Sequence, residues 1–257
     1  MIPKIIHYCW FGDKKFNKRQ KKCIRTWNEH LFDYEFMLWN EENIDMNHPF
    51  ITLAYKHKKW AYISDYVRLQ KLYEYGGIYL DTDMYVLKSF NKLLSDCCFF
   101  GAQDDKLIAA GIIGSTQGNI FIKNCLNHYN DPNPKEWKLR FANPRVITRV
   151  FVENGDYLPE FNDSLQINNV KIYSPKYFYP MPFVIDKPFD ENFLKFAENE
   201  TYAIHLWDGS WIEYSEFQLI RKRKYIQALT NIKYGNLHKT YYFKKLISSF
   251  LKSLKAT

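Results

Sequence analysis

Residues 64–83 read SDYVRLQKLYEYGGIYLDTD, and this stretch decides the fold. A buried helix is predicted over Trp60–Tyr75, because apolar side chains cover nearly its whole circumference. The glycine pair at 76–77 signals the end of that helix, and the apolar run Ile78–Leu80 starts a strand. The strand runs directly into Asp-Thr-Asp at 81–83, so a helix, a tight turn and a strand deliver two carboxylates to one place.

The segments on both sides of this stretch predict an α/β protein. Strands at Ile2–Tyr8 and Tyr34–Trp39 flank a helix at Phe16–Trp27, and the absence of a hairpin signal between them indicates a parallel pair. Further strands and helices are expected at Met84–Leu87, Cys97–Ala102, Leu107–Gly114, Asn119–Tyr129, Pro144–Asn154, Val170–Tyr173 and Tyr202–Leu206, followed by helices at Glu213–Asn231 and Leu237–Leu254.

Composition describes an ordinary globular chain. It has 257 residues, of which 46% are hydrophobic and 25% charged, enough to bury a core without disulfides or structural metal. No apolar run is long enough to cross a bilayer, and the first residues lack the pattern of a secretory signal. The five cysteines show no CxxC or zinc spacing, so buried free thiols in a reducing cytosol are expected.

Charge is distributed unevenly along the chain. Of 36 Lys and Arg residues, ten lie in residues 221–257, which contain no Asp or Glu. Residues 1–220 contain the remaining 26 cations and 28 anions, so the net charge of this part, the body of the protein, is close to zero. We therefore expect a folded domain over residues 1–220 and a basic helical extension over 221–257, with no nucleic acid bound by the body.

Four charged residues of the opening stretch carry chemistry. Asp65 and Arg68 lie three apart on one apolar helix face, so they pair with each other or with a ligand. Asp81 and Asp83 project to the same side if the chain is extended. Two carboxylates at the carboxyl end of a strand suit Mg²⁺ or Mn²⁺, which bridges diphosphate oxygens, although a bare Asp-x-Asp is also common in solvated turns.

The string from Ser64 to Asp83 resembles the DXD sugar-transferase family 32, which includes bacterial capsule-synthesis enzymes and yeast-type mannosyltransferases and shares its core with the large glucosylating bacterial toxins. IPKIIHYCWFG at 2–12 is similar to the family's opening strand and loop, and YAIHLWDGSW at 202–211 to its closing segment. The resemblance implies a GT-A fold, with a Rossmann-like mixed sheet flanked by helices, and retaining transfer of a sugar from a nucleotide donor. The basic C-terminal helical extension lies outside it.

The resemblance also implies roles for individual residues. Asp83 and His205 would ligate Mn²⁺ or Mg²⁺, while Asp81 would contact both the metal and the ribose. Asp65 and Arg68 would hold hydroxyls of the donor sugar, which completes a catalytic set of Asp65, Arg68, Asp81 and Asp83. Trp10 would stack on the base, Tyr79 would flank the diphosphate, and Ser210 and Trp211 would hold it. The wider donor-binding set also includes His7, Asn40 and Thr82.

Two places depart from the family pattern. Asn143 stands where a glycine is usual in an acceptor-side Gly-Pro turn, which weakens a functional assignment there. Ala109-Ala110-Gly111 occupies the stretch where many relatives carry an Asn pair facing the sugar, so the choice of donor is left open.

The sequence thus predicts a metal-dependent retaining glycosyltransferase. It would move a hexose or N-acetylhexosamine from a nucleotide-diphosphate sugar, a UDP-sugar in preference to a GDP-sugar, to a glycan acceptor, lipid-linked in surface polysaccharide synthesis. The expected location is cytoplasmic, peripheral on the inner face of the cell membrane. The alternative is a basic peripheral membrane or polyanion-binding protein without transferase activity, which metal-dependent hydrolysis of a donor would exclude.

The last predicted helix leaves two interpretations open. Apolar residues recur on it at helical spacing, with lysines beside and opposite them, which is typical of a helix lying in a membrane interface. The same stripe could instead pack on the catalytic body and leave the lysines in water. The stripe comprises Phe243, Leu246, Ile247, Phe250 and Leu254.

Overall fold

The computed structural model describes residues 1–13, 15–56, 59–130, 142–155, 160–183, 191–208, 217, 219–220, 223–232 and 240–255. The strands in chain order are β1 (Ile5–Cys9), β2 (Glu35–Trp39), β3 (Gly77–Leu80), β4 (Met84–Val86), β5 (Cys98–Ala102), β6 (Ile108–Ser115), β7 (Leu165–Ile167), β8 (Val170–Tyr173) and β9 (Ala203–His205). The helices are α1 (Lys18–His30), α2 (Pro49–Lys56), α3 (Trp60–Tyr75), α4 (Ile120–Asn127), α5 (Asn143–Gly155), α6 (Tyr225–Ile232) and α7 (Thr240–Lys255).

Seven strands form one mixed sheet in the order β2-β1-β3-β6-β5-β8-β7. The predicted parallel pairing of β1 with β2 is confirmed, and β1 also runs parallel to β3. Strand β6 is antiparallel to both β3 and β5, and β5 is parallel to β8. A mixed sheet with flanking helices confirms the GT-A-like α/β fold that the family resemblance implied.

Helix α3 has the predicted bounds and is buried as its composition predicts. Ile63, Val67, Leu69 and Leu72 on this helix are fully buried. The helix ends at two glycines with φ angles of 67° and 104°, a conformation that glycine adopts at low cost. A Cβ at Gly76 would lie 2.7 Å from the Gln117 backbone nitrogen, so a side chain has no room there. The chain therefore turns sharply from α3 into β3.

The helix α2 and the strand β7 were not predicted, and the side chain of Cys97 is exposed although it was expected to be buried. Helix α2 has eight residues and β7 has three, so both are too short for their periodicity to stand out. All five cysteines are free, but Cys97 is exposed whereas the other four are buried. The expectation of buried thiols is wrong at Cys97, which immediately precedes the buried strand β5.

The chain divides into two compact units. The larger comprises the described residues of Met1–Pro182 and Phe193–Leu206, and the smaller those of Phe183–Asn192 and Trp207–Thr257. Among residues before 221, where the basic composition begins, the described residues 207–208, 217 and 219–220 therefore group with the C-terminal helices. Among the described residues, no helix is long and apolar enough to traverse a bilayer.

Candidate active site

The pairing of β4 with β9 brings a distant histidine to the Asp-Thr-Asp segment. These strands are antiparallel with Met84 opposite His205, and the Leu206 N–H donates to the Asp83 carbonyl at 3.0 Å. His205 Nε2 consequently lies 3.1 Å from Asp83 Oδ1 and 3.8 Å from Asp81 Oδ2. One ligand atom from each of the three residues lies within 4.8 Å of the others. The structure thus brings together the three residues that the resemblance proposed as metal ligands.

The two aspartates meet through a turn between β3 and β4. The Met84 N–H donates to the Asp81 carbonyl at 2.9 Å, and the Asp81 N–H donates to the Gly111 carbonyl at 2.8 Å. The expectation that alternation along an extended strand aligns the two carboxylates is therefore wrong in its cause. Because β3 ends at Leu80, a tight turn performs this alignment.

Arg68 connects helix α3 to the Asp-Thr-Asp turn. Its side chain is buried, its Nη2 lies 3.2 Å from Asp65 Oδ1, and its Nη1 lies 3.4 Å from Asp81 Oδ1. The guanidinium also lies over the Tyr79 ring, 4.3 Å from the ring centroid. Its remaining bonds go to the Ser64 carbonyl at 3.1 Å and the Ala110 carbonyl at 2.5 Å. Arg68 therefore holds two carboxylates from different elements in one fixed geometry.

Asp65 is positioned by a residue from the start of α5. The Asn143 N–H donates to Asp65 Oδ2 at 3.3 Å, and the Asn143 side-chain amide donates to the Asp65 carbonyl at 2.9 Å. The Tyr129 hydroxyl donates to Asn143 Oδ1 at 2.6 Å, so the Asn143 amide is held from both ends. Burial raises the pKa of the Asp65 carboxyl to about 6, against the opposing effects of Arg68 and the Asn143 N–H.

The electrostatics of the cluster favour a bound positive charge. Burial disfavours the imidazolium form of His205, but the Asp83 carboxylate more than offsets this, with a contribution from Asp81, so the pKa of His205 is raised. A metal ion at the cluster would be held by the neutral form of the imidazole. Two carboxylates and one imidazole form a donor set that suits Mn²⁺ or Mg²⁺.

Gly111 keeps space open beside this cluster. A Cβ at this position would lie 3.2 Å from Asp81 Oδ2, 3.2 Å from His205 Cδ2 and 3.0 Å from the Tyr179 hydroxyl. That hydroxyl accepts a hydrogen bond from the Ile112 N–H at 3.1 Å, which fixes the ring next to His205. The absence of a side chain at Gly111 therefore leaves Asp81 Oδ2 and the His205 ring unobstructed, which fits a site for a cation.

The other residues that were predicted to bind the donor lie in different environments. Tyr79 is buried and donates its hydroxyl to Asp81 Oδ1 at 2.8 Å. Thr82 is half-buried in the turn between the two aspartates. Trp10 is half-buried with its ring 4.5 Å from that of Phe16, and the Asn40 side chain accepts the Glu42 N–H. Base stacking by Trp10 and donor binding by Asn40 stay predictions.

His7 has protein partners at both ring nitrogens. Its Nδ1 accepts the Trp39 indole N–H at 3.1 Å, and its Nε2 lies 2.7 Å from the Gly76 carbonyl oxygen. Burial lowers the pKa of His7 to about 4, so the ring is neutral at ordinary pH. Contact with a donor, as predicted for His7, would require one of these bonds to break. Ser210 and Trp211 lie outside the described residues.

Asn143, Tyr129 and Tyr179 complete the site, and none of them was assigned to it from the sequence. All three are buried and come from segments far from residues 64–83 in the chain. An Asn directly before Pro144 at a predicted helix start was a usable signal for Asn143, because Asn commonly ends a loop with side-chain hydrogen bonds. The two tyrosines gave no sequence signal that separates them from core aromatics.

Two segments of the chain match known families. Residues 17–100 match the family described as "Glycosyltransferase sugar-binding region containing DXD motif". Residues 114–231 match the "Alpha 1,4-glycosyltransferase conserved region". The first match includes Asp65, Arg68, Asp81 and Asp83, and the second includes Asn143 and His205. These matches confirm the resemblance to DXD sugar transferases.

Individual proteins that are similar to this chain are also named as sugar transferases. The chain is 29% identical to a lactosylceramide 4-alpha-galactosyltransferase of Rattus norvegicus over 154 residues, 57% of this chain and 40% of that protein. It is 31% identical to inositol phosphoceramide mannosyltransferase 3 of Schizosaccharomyces pombe over 129 residues, 47% of this chain and 35% of the relative. The chain therefore spans less than half the length of either of these two relatives.

Two further relatives extend over more of the chain. An uncharacterized glycosyltransferase of Acanthamoeba polyphaga mimivirus is 25% identical over 230 residues, 82% of this chain and 84% of that protein. The solved PaToxG glycosyltransferase superposes with a TM-score of 0.50 at 20% identity, covering 60% of this chain and 69% of that structure. This superposition supports the fold.

Proposed function

The chain carries the DXD-containing sugar-binding region of glycosyltransferases, and on this premise we propose that it is a metal-dependent enzyme. It transfers a hexose or N-acetylhexosamine from a nucleotide-diphosphate sugar to a glycan acceptor. The observation that carries the proposal is the cluster of Asp81, Asp83 and His205, joined through Arg68 to Asp65. A metal site and a sugar-binding carboxylate held by one guanidinium would serve the diphosphate and the sugar of the donor.

Asp81, Asp83 and His205 would hold Mn²⁺ or Mg²⁺. When bound, such an ion supplies positive charge next to the diphosphate leaving group. Ser210 and Trp211, as hydroxyl and indole N–H donors, are proposed to bind the same diphosphate. These residues act on the charge that develops on the leaving group, which is the kind of stabilisation that contributes most to group-transfer catalysis.

Asp65 orients the donor sugar in this proposal. Its carboxylate is fixed by Arg68 and by the Asn143 N–H, so it accepts sugar hydroxyl hydrogens without having to reorganise. Within the described part of the site no side chain stands out as a covalent nucleophile. Retention of configuration is proposed from the family resemblance.

The proposed donor is a UDP-sugar and the proposed acceptor a lipid-linked glycan in surface polysaccharide synthesis. Two relatives are named for sugar transfer involving lactosylceramide and inositol phosphoceramide, and these names support a lipid-linked acceptor. The basic composition of the C-terminal segment supports a location at an anionic surface, which we propose is the cytoplasmic face of a cell membrane.

Donor hydrolysis tests the proposal without knowledge of the acceptor. The purified chain is incubated with a panel of UDP- and GDP-sugars and Mn²⁺, and release of the nucleoside diphosphate is measured. We expect hydrolysis of at least one donor, lost when Mn²⁺ is chelated and lost in Asp83→Ala. Asp33→Ala is the matched control, because Asp33 is exposed and bonded to Lys4. No hydrolysis of any donor would point instead to a binding protein without transferase activity. Equal hydrolysis by Asp83→Ala would contradict the metal-dependent role of this cluster.

A further inference from the structure

Helix α7 presents an apolar face to solvent. The exposed fractions are 51% for Phe243, 46% for Ile247, 48% for Phe250, 52% for Leu251 and 56% for Leu254. At 100° per residue these five side chains fall within an arc of roughly 100°. A contiguous exposed apolar stripe of this size is uncommon on a soluble surface and marks a site of interaction.

The packed face of the same helix carries a tyrosine and two serines. Tyr242, Ser249 and Ser253 are almost completely buried. The Ser253 carbonyl accepts a hydrogen bond from Arg223 Nε at 3.1 Å, and the hydroxyls of Ser253 and Tyr225 are 3.1 Å apart. The residues before and within α6 thus bind α7 at Ser253. The apolar stripe is therefore not the face that packs within this unit.

Helix α6 adds to the exposed apolar surface. Ile226 is 84% exposed and Leu229 is 65% exposed, whereas Ala228 between them is buried. The small residue faces inward and the larger apolar residues face outward, as Ser253 and Leu254 do on α7. The two C-terminal helices follow the same pattern, so the exposure of α7 is not an isolated feature.

The charge of this segment identifies the kind of occupant. Residues 221–257 hold ten Lys and Arg and no acidic residue, and Arg223, Lys224 and Lys244 are exposed. A second copy of the chain would bring like charges together, and a nucleic acid would leave the apolar stripe uncovered. An anionic lipid surface satisfies both properties, because it offers acyl chains to the stripe and negative headgroups to the cations.

We propose that α6 and α7 form a docking surface for anionic phospholipid bilayers, with Phe243, Ile247, Phe250, Leu251 and Leu254 inserted at the headgroup boundary. This inference extends the proposed function, because a lipid-linked acceptor is presented at such a surface. The docking surface itself needs neither the metal site nor the donor, so it is testable apart from transfer.

Vesicle co-sedimentation of the full chain tests the proposal. Vesicles of phosphatidylcholine alone are compared with vesicles that also contain phosphatidylglycerol, at low and at high salt. We expect binding only to the anionic vesicles, weakened by salt. The double variant Phe243→Ser with Leu254→Ser should bind at least about tenfold more weakly. Phe32→Ser is the matched control, because Phe32 is 80% exposed but lies in the other unit.

Three results would overturn the docking surface. They are equal binding to neutral vesicles, unchanged binding by the double variant, and sedimentation velocity showing a dimer that the double variant abolishes. Circular dichroism of the double variant checks that its helices remain. Donor hydrolysis in water, without vesicles, separates the two proposals: binding without hydrolysis contradicts only the transferase, and hydrolysis without binding contradicts only the docking surface.

Discussion

Each of the two units of this protein contains an unusual placement of side chains, and the two placements are of opposite kinds. In the larger unit the ionisable residues Arg68, Asp65 and His205 are buried, and large apolar residues fill the core around them. In the C-terminal unit Ser253 is buried, while Leu254 beside it is exposed. Each arrangement is energetically unfavourable unless something compensates for it.

The compensation differs between the two units. Buried charge in the larger unit is paired at every step from Asp65 through Arg68 to Asp81 and on to His205. A paired network of this kind keeps its members in one geometry, which suits catalysis. The exposed apolar face of α7 has no such internal compensation, which suits a surface that is covered on binding. Substitutions in the two units should therefore affect separate properties.

The largest effect should come from removing a carboxylate of the buried network. Asp83→Ala should lower donor hydrolysis by about 1000-fold or more, because a lost metal ligand removes several kcal/mol of charge stabilisation. The rate is measured at saturating Mn²⁺, and a thermal melt checks folding. If folded Asp83→Ala hydrolysed the donor at nearly the parental rate, the catalytic role proposed for the buried network of charged residues would be contradicted.

The second effect tests whether charge alone suffices at Arg68. Arg68→Lys should reduce kcat/KM by about 100-fold, because one ammonium cannot bond two carboxylates and two carbonyls in the geometry of a planar guanidinium. Lys71→Arg, a matched exchange on the same helix where Lys71 pairs with Glu74, should have little effect on the rate. Equal losses in the two variants would mean that burial on α3, rather than the network, limits activity.

A smaller effect is expected at Asn143. Asn143→Ala removes the amide that bonds the Asp65 carbonyl and accepts the Tyr129 hydroxyl, while it keeps the backbone N–H on the carboxylate. We expect a loss of about 1–2 kcal/mol in the free energy of unfolding and a several-fold drop in kcat with little change in KM. Unchanged kcat with reduced stability would make Asn143 purely structural.

The smallest effect is expected at Leu254, and it is measured as a change in the free energy of unfolding. Leu254→Ala should change the free energy of unfolding by no more than about 0.5 kcal/mol, because its side chain is 56% exposed. Leu69→Ala, the same exchange at a fully buried position of α3, should cost about 2–5 kcal/mol. Urea unfolding of both variants makes the comparison. A cost at Leu254 similar to that at Leu69 would show that the α7 stripe packs inside the protein.

Much of the larger unit follows from local sequence. The bounds of α3, the glycine turn and the two aspartates were predictable because composition, end signals and strand pattern agree there. The position of His205 was not predictable from physical reasoning alone, since it depends on the pairing of β4 with β9, which are more than a hundred residues apart. The family resemblance supplied that residue.

For the C-terminal helix α7, the sequence pattern predicted the apolar residues but not which of them pack inside the protein. Four of the five exposed apolar residues were evident from residue spacing, but Leu246 of the predicted stripe is half-buried and Leu251 is exposed instead. Spacing does not say which face packs inward. The packed face is decided by hydrogen bonds at Ser253, which link residues about thirty positions apart. Likewise, the Asn143 contacts with Asp65 join two segments that no local pattern connects.

Binding of Mn²⁺ to the purified chain tests the central claim most directly. Free Mn²⁺ is titrated by electron paramagnetic resonance against the parent, Asp83→Ala, His205→Gln and the control Asp33→Ala. Asp81, Asp83 and His205 are expected to bind one Mn²⁺ per chain, with affinity about tenfold or more weaker in His205→Gln, no binding in Asp83→Ala and parental binding in Asp33→Ala. Parental Mn²⁺ affinity in Asp83→Ala, or no Mn²⁺ bound by the parent, would contradict a metal site at this cluster.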